Sequence, residues 1–152
     1  MTDWSSPGAI DRVCGRIVSE ALDGFVVADR EGVIRIWNRG AERIFGRPAS
    51  EALGRSLDLI VPEKHRADHW EGFRRVMGTG VTKYGAETLG VPAVRADGTR
   101  ISIEFTVVLL PGEGVLPEGV AAIVRDVTAR RAQEKELKKR LAELENPSPG
   151  GK

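Results

Sequence analysis

The feature that most constrains the fold is the alternation of apolar and polar side chains over residues 100–110. Apolar side chains at every second position are typical of a β-strand that turns one face to a core. An Ala-Asp-Gly turn at 96–98 precedes this strand, so residues 84–94 are predicted to form the other arm of a long hairpin. A loop rich in Pro and Gly then leads to a further predicted strand at 120–124. The C-terminal half therefore predicts three strands.

The N-terminal half consists of shorter segments, several of which end at glycine. Helical spacing of apolar residues predicts an amphipathic first helix, and the residues between 28 and 33 predict the turn of a short hairpin. Asn38 is placed to cap the helix that follows this hairpin. The predicted helices are 9–22, 40–45, 48–53 and 63–77, and the predicted strands are 25–28 and 33–37.

The order of these elements predicts an α+β class, with a five-stranded antiparallel sheet, short helices on one face, and flanking N- and C-terminal helices. In the last helix, Leu137, Leu141 and Leu144 stand four and three residues apart among charged side chains, which is typical of a helix that pairs with another helix. The predicted units are an N-terminal helical cap at 1–22, a sheet domain at 23–128, a C-terminal amphipathic, coiled-coil-like helix at 129–145 and a disordered tail at 146–152.

Composition and net charge exclude some classes of function. A chain of 152 residues is long enough for one domain, and its net charge of +1 gives no general attraction to nucleic acid or to an anionic membrane. The single cysteine, Cys14, fits a reducing compartment, and no apolar run approaches the length of a membrane span. We therefore expect a cytoplasmic protein without a nucleic-acid or membrane partner.

Five short motifs occur in a characteristic order. They are D-R-E-G-V-I at 29–34, W-N at 37–38, A-E-R-I-F-G at 41–46, R-A-D-G-T at 95–99 and V-R-D-V-T at 124–128. In order and spacing these motifs resemble the PAS family, and the resemblance covers about residues 10–128. It implies the PAS fold for the sheet domain.

The segment V-P-E-K-H-R-A-D-H at 61–69, followed by Phe73, Arg75 and the G-T-G turn at 78–80, resembles the haem-binding helix of the FixL-type oxygen sensors. The resemblance implies a haem b cofactor with His69 as the proximal iron ligand. It also implies that Arg75 pairs with a haem propionate.

Two positions depart from the FixL-type pattern. Lys83 stands where that family often has a histidine near the other propionate, and it keeps a hydrogen-bond donor there. Leu89 stands where the family has an arginine that hydrogen-bonds bound oxygen. We therefore expect the ferrous iron to bind CO or NO readily and to hold oxygen weakly or to oxidise.

The residues themselves are compatible with this site. At about 100° per residue, His69 falls within the apolar arc of its helix with Phe73 and Met77, so its imidazole is expected to point inward. The strand residues Leu89, Phe105 and Val107 are candidates for the distal wall of the haem pocket. The alternatives are that His69 is an ordinary structural histidine, that Arg75 is a solvated charge, and that the strand residues only fill the core.

The first functional hypothesis is a non-enzymatic haem sensor that detects a diatomic gas (O2, CO or NO) or a redox change. It would signal as a homodimer through its flanking helices to a kinase or another regulator, because no kinase follows the domain in this sequence. The alternative is a haem-free PAS module for protein–protein interaction or dimerisation. A minor third hypothesis is a haem protein with incidental oxidase or peroxidase activity.

Overall fold

Five antiparallel strands form one sheet in the computed structural model, which describes residues 3–147. The strands are β1 (Gly24–Asp29), β2 (Ile34–Trp37), β3 (Leu89–Val94), β4 (Arg100–Pro111) and β5 (Pro117–Asp126). Their order across the sheet is β2-β1-β5-β4-β3, so the last strand lies at the centre. The predicted α+β class and antiparallel sheet are confirmed.

The helices are short except at the two ends of the chain and beside the middle of the sheet. They are α1 (Ala9–Glu20), α2 (Arg39–Phe45), α3 (Ala49–Ala52), α4 (Arg66–Thr79) and α5 (Thr128–Glu145). Two 3₁₀ turns, Leu57–Leu59 and Glu63–His65, connect α3 to α4. Gly46 and Gly80 end α2 and α4 in the left-handed conformation, which a glycine adopts at low cost.

The predicted strand at 84–94 is too long, because β3 begins only at Leu89. Residues 84–88 make one backbone hydrogen bond to β4, from the Val107 amide to the Tyr84 carbonyl oxygen at 2.9 Å. Gly85 and Ala86 in this segment have low strand propensity, and alternation of side chains alone does not supply a partner ladder. The other predicted elements are present, with ends that differ by a few residues.

The core lies between the sheet and α2–α4. Its buried residues come from all the strands and from the short helices that cover one face. They are Val26, Ala28, Ile34, Trp37, Ala41, Ile44, Phe45, Ala52, Leu57, Ala93, Ile101, Ile103 and Val124. On β4 the buried positions follow the alternation seen in the sequence.

Asn38 joins α1 to this core. Its side chain, which is only 5% exposed, caps α2 as predicted and also accepts a hydrogen bond from β1. Its amide group donates to three carbonyl oxygens at the end of α1 and just beyond it. The partners are Phe25 N (2.8 Å) and Ala41 N (2.9 Å) for Oδ1, and Val18 O (2.7 Å), Ala21 O (3.3 Å) and Asp23 O (3.0 Å) for Nδ2.

Helix α5 leaves the sheet from the end of β5, and every one of its side chains is at least partly exposed. The described residues include no helix with the length and apolar character that a membrane crossing needs. Residues 1–2 of the predicted N-terminal cap and 148–152 of the predicted disordered tail lie outside the described part of the chain.

Candidate functional site

Helix α4 carries the central residues of the candidate site. Pro62 precedes the 3₁₀ turn that leads into it, and the glycine at its end fixes its length. Trp70 and Phe73 lie half-buried against the core, and Met77 is 4% exposed. The helix therefore turns the face predicted from the sequence toward the sheet.

His69 lies at the edge of this buried face. Its ring centroid is 4.9 Å from that of Trp70, in an edge-to-face arrangement, and 6.1 Å from that of Phe73. The Nδ1 atom is buried and has no hydrogen-bond partner among residues 3–147. A buried ring nitrogen without a partner is uncommon in folded proteins, and such an atom calls for a specific explanation.

Burial lowers the pKa of His69, and the negative charge of Asp58 opposes this shift. The imidazole is therefore neutral at pH 7, with a lone pair on one of its nitrogens. This is the protonation state that a metal-ligating histidine requires.

Asp58 and Trp70 form a contact that the sequence did not predict. The Trp70 indole N–H donates to Asp58 Oδ1 at 2.7 Å, and the Arg66 guanidinium donates to the Asp58 main-chain carbonyl at 3.2 Å. The indole ring also lies over Gly32, where a Cβ atom would collide with it. No local motif signals these contacts, since Asp58 is 12 residues from Trp70 and Gly32 is identifiable from sequence only as a turn residue.

The predicted distal residues share the inner face of the sheet. Leu89 lies directly opposite Phe105 across β3 and β4, and Val107 lies opposite Ala122 of β5. This is the face on which Ile103 is buried, because alternate residues of a strand share one side. Leu89, Phe105 and Val107 are all half-buried, so the inner face is less covered here than near the middle of the core.

Arg75 and Lys83, the predicted partners of the haem propionates, both have exposed side chains. The Arg75 side chain is 68% exposed and lies 3.7 Å from Glu71, four residues earlier on α4. Lys83 is also exposed, with its Nζ 5.3 Å from the ring centroid of Tyr84. Both cations therefore lie at the surface.

Two open pockets lie elsewhere on the domain. One, of about 750 Å³, lies between α1 and the β2–α2 junction, and the other, of about 380 Å³, lies beside Arg43, Arg95 and Arg125. Neither is lined by His69. Within residues 3–147 no group of three or more His, Cys, Asp or Glu side chains is arranged to hold a metal ion.

The residues around His69 fit a haem by their chemistry. His69 offers a neutral imidazole with a buried nitrogen that has no partner among residues 3–147, and Phe105 on the inner face of the sheet packs against the same core cluster as Trp70 and Phe73. The space beside the imidazole is shared by Trp70 and Phe73. Binding of a macrocycle there would require these aromatic side chains to repack.

A sequence model of a protein family, described as the PAS fold, matches residues 18–132. The chain belongs to the PAS family. This PAS domain is 26% identical to the sensor protein FixL of Bradyrhizobium diazoefficiens over 122 residues, which are 80% of this chain and 24% of FixL. The predicted PAS resemblance is therefore confirmed.

Two other curated relatives have similar levels of identity. A protein of Azorhizobium caulinodans is 33% identical over 124 residues, which are 78% of this chain and 17% of that protein. The cell-division control histidine kinase PdhS of Brucella ovis is 29% identical over 132 residues, 87% of this chain and 12% of the kinase. The chain thus spans a quarter or less of each of these relatives, two of which are named as signalling proteins.

Solved structures share the fold. The PAS domain of a Colwellia psychrerythraea protein superposes with a TM-score of 0.65 and 26% identity, covering 79% of this chain and 98% of that domain. An RNA-binding light-oxygen-voltage receptor superposes with a TM-score of 0.74 and 22% identity, covering 93% of this chain and 40% of the receptor. These matches show the PAS fold over most of the chain.

Proposed function

We propose that this PAS domain is a haem-binding sensor whose iron ligand is His69. The observation that carries the proposal is the buried Nδ1 of His69, which has no hydrogen-bond partner among the described residues, on an imidazole that burial keeps neutral. The 26% identity to the sensor protein FixL is consistent with it. The proposed role is sensing, not catalysis.

Each residue of the site has a proposed task. His69 holds the iron, and Phe73 and Met77 give its helix the apolar face on which a flat macrocycle can rest. Leu89, Phe105 and Val107 form the opposite wall and exclude water. Arg75 and Lys83 are proposed partners for the propionates at the surface. When bound, haem supplies reversible binding of a diatomic gas and a one-electron redox change.

The apolar wall sets the expected ligand preference. Leu89 has no hydrogen-bond donor in its side chain, and neither Phe105 nor Val107 supplies one. Bound oxygen in a haem pocket is stabilised by a donor on the distal side, whereas CO depends on one much less. We therefore propose that the sensor responds to CO, NO or the redox state of the iron more readily than to oxygen.

The proposed output is a change in the packing of a homodimer through α1 and α5. Ile10 and Ile17 of α1 are more than half exposed, and so are Leu137, Leu141 and Leu144 of α5. Apolar stripes of this kind gain stability when a second helix covers them. Because one relative is a histidine kinase, the proposed downstream partner is a kinase or another regulator.

A second candidate is a haem-free PAS interaction module. It is favoured by the indole of Trp70, which lies over Gly32 and hydrogen-bonds to Asp58 beside His69. In this alternative the aromatic side chains simply complete the core. The same α1 and α5 surfaces would then serve protein–protein contacts without a bound cofactor.

The test is an absorption spectrum of the purified chain after reconstitution with hemin, in the ferric, ferrous and ferrous–CO states. His69→Ala is compared with His65→Ala, which removes the other histidine, four residues earlier. We expect one haem per chain in the native protein and in His65→Ala, with a Soret band that shifts on reduction and on addition of CO. His69→Ala should lose this band or change its position.

Two results would overturn the haem proposal. One is the absence of stoichiometric haem binding by the native chain, which would leave the interaction module as the function. The other is an identical spectrum for His69→Ala and the native protein, which would make His69 structural. An oxygen complex that is tight and slow to oxidise would contradict the ligand preference assigned to Leu89.

A further inference from the structure

Two adjacent residue pairs of β3 and β4 lie on opposite faces of the sheet. Leu89 pairs with Phe105 on the inner face, where the proposed cofactor would lie. The next pair along the ladder is Gly90 with Glu104. Because successive residues of a strand point to opposite faces, this second pair lies on the outer face, one residue along the strands from the first.

The first turn of α5 is attached to this outer pair. The Arg130 guanidinium donates a hydrogen bond to Glu104 Oε1 and forms an ion pair with that carboxylate. The Arg131 guanidinium lies over Gly90, in the space that a Cβ atom would occupy. Arg130 of α5 therefore contacts Glu104, and Arg131 contacts Gly90.

Gly90 leaves space for the Arg131 guanidinium through its small size and not through an unusual backbone. It is absent from the glycines with positive φ, and it lies in the regular register of an edge strand. A glycine inside a strand lowers strand stability, and such a position often allows another group to approach closely. At position 90 the approaching group is the Arg131 side chain.

Two hydrogen bonds hold the start of α5 to Ser102 of β4. The Val127 amide donates to the Ser102 carbonyl at 2.9 Å, and the Ser102 amide donates to Thr128 Oγ1 at 3.0 Å. These bonds fix where the helix begins but leave its direction to contacts further along it. Beyond Arg130 and Arg131 the helix side chains are exposed.

We infer that the Gly90–Glu104 pair, through Arg131 and Arg130, couples the inner face of β3 and β4 to the position of α5. A displacement of Leu89 or Phe105 moves the adjacent backbone, and this backbone carries the two contacts that orient the helix. The inference rests on the proposed function only for the identity of the signal, which is haem or a ligand of haem. The coupling itself is a property of the sheet and is testable without cofactor.

A second connection to α5 exists and must be separated from this one. Arg95 lies 3.8 Å from Asp126, and its Nε donates to the Ile44 carbonyl of α2 at 2.8 Å. This contact links α2 to the end of β5, which precedes α5, and it does not involve the Gly90–Glu104 pair. An experiment on Glu104 or Gly90 leaves it intact.

The test is a double-mutant cycle on the cofactor-free protein, read by hydrogen exchange of the α5 amides. Leu89→Ala perturbs the inner face, and Glu104→Ala removes the outer ion pair. We expect Leu89→Ala to change α5 exchange about two-fold or more in the native background and to have little effect in Glu104→Ala, as energetically coupled contacts behave. Equal effects of Leu89→Ala in the two backgrounds would overturn the inference.

Matched control variants test whether the response depends on Glu104 and Gly90 or on any lost carboxylate or glycine. Glu136→Ala removes a comparable carboxylate that pairs with Arg140 within α5, at 2.9 Å, and should leave the response to Leu89→Ala unchanged. Gly90→Ala, which displaces Arg131, should weaken the response, whereas Gly114→Ala, with open space around its Cβ, should not. Charge reversal of both partners, Glu104→Arg with Arg130→Glu, should restore the response, which a merely unfolded variant would not show.

A second arm uses hemin. If the native chain binds haem, α5 exchange should differ between cofactor-free and haem-loaded protein, and Glu104→Ala should lose this difference while keeping the Soret band. An unchanged difference in Glu104→Ala would refute the coupling and leave the haem proposal standing. If no haem binds, the haem proposal fails, and the cofactor-free cycle alone decides the coupling.

Discussion

The buried side-chain amide of Asn38 contacts both α1 and α2. Its Oδ1 accepts from Phe25 N and Ala41 N, while its Nδ2 donates to carbonyl oxygens at the end of α1. The acceptor half of the side chain therefore caps α2, and the donor half holds α1. The two halves can be separated chemically, because aspartate keeps the acceptor and lacks the donor.

We predict that Asn38→Asp releases α1 while α2 stays formed. A carboxylate at this position would face the carbonyl oxygens of Val18 and Asp23 without a hydrogen to donate, at a cost of about 1–3 kcal/mol for buried polar atoms left unsatisfied. Hydrogen exchange should increase over residues 9–20 and remain slow in β4. Asn38→Ala, which removes both halves, should also weaken α2, and equal effects of the two variants on α2 would contradict this division of roles.

His69 gives the cofactor-free protein a defined dependence of stability on pH. Burial lowers its pKa from the ordinary value of 6.5, so the folded state binds this proton less tightly than the unfolded chain. As the pH falls below about 6.5, the unfolded chain takes up the proton first, and the free energy of unfolding decreases. The decrease stops once the pH is below the lowered pKa of the folded state.

The measurement is urea denaturation of the cofactor-free protein between pH 7.5 and pH 5, compared with His69→Gln. We predict that the native protein loses stability by at most about 1.4 kcal/mol per pH unit from this residue, the limit for one titrating group. His69→Gln should have a flatter profile over the same range. His65→Gln is the control, and if it flattens the profile as much as His69→Gln does, the assignment to His69 is wrong.

At the scale of elements, the contact between α4 and the β1–β2 turn depends on a glycine. Gly32 has a φ of 79°, and its missing side chain leaves room for the Trp70 ring. Gly54 has the same φ of 79° but has no atom within 4 Å of the position of a Cβ. The two glycines therefore separate backbone strain from contact with Trp70.

We predict that Gly54→Ala costs about 1–2 kcal/mol, the penalty for an L-residue in the left-handed region. Gly32→Ala should cost this amount and about 1–3 kcal/mol more, because the new methyl group overpacks against the indole. Denaturation midpoints and tryptophan fluorescence measure the difference. Equal losses for the two variants would mean that the indole moves aside freely and does not depend on Gly32.

Local patterns account for most of the element order. The alternation over 100–110 predicted β4, and Asn38 predicted the cap of α2, because both signals act within a few residues. The irregular segment before Leu89 was mistaken for a strand, since pairing depends on β4 and not on the segment itself. The same alternation predicted that Phe105 and Val107 share one face of β4 with the buried Ile103, as the structure shows.

The contacts that distinguish this site arise only in three dimensions. The Trp70–Asp58 hydrogen bond, the packing of the indole on Gly32 and the Arg131–Gly90 contact join residues from separate elements. Arg75 is exposed, in agreement with the alternative that it is a solvated charge, and Lys83 is exposed as well. A sequence resemblance predicts which positions of the chain correspond to those of a family. The environment of each side chain depends instead on the packing around it.

On the scale of the whole molecule, an ion pair links the segment after α1 to the end of β5, which precedes α5. Asp23, just after α1, forms an ion pair with Arg125 at 3.0 Å, and the adjacent Asp126 precedes α5. The chain segments that follow α1 and precede α5 are therefore neighbours. The leucine stripe lies further along α5, where every side chain is exposed.

We predict that Leu141→Lys weakens self-association of the chain. Leu141 is 56% exposed and lies at the middle of the stripe formed with Leu137 and Leu144, so a lysine there would place charge in a helix–helix seam. Loss of one buried leucine from each copy should raise the dimer dissociation constant about ten-fold or more, because each 1.4 kcal/mol corresponds to a factor of ten. Sedimentation equilibrium of the full chain measures this constant.

Ala142→Lys is the matched control, since it adds the same charge one residue further along α5 and off the leucine stripe. It should leave the dissociation constant nearly unchanged. If both variants weaken association equally, general charge repulsion and not the stripe controls the assembly. A native chain that stays monomeric at the highest concentrations measured would show that these leucines are covered by a different protein, and the homodimer proposal would then be wrong.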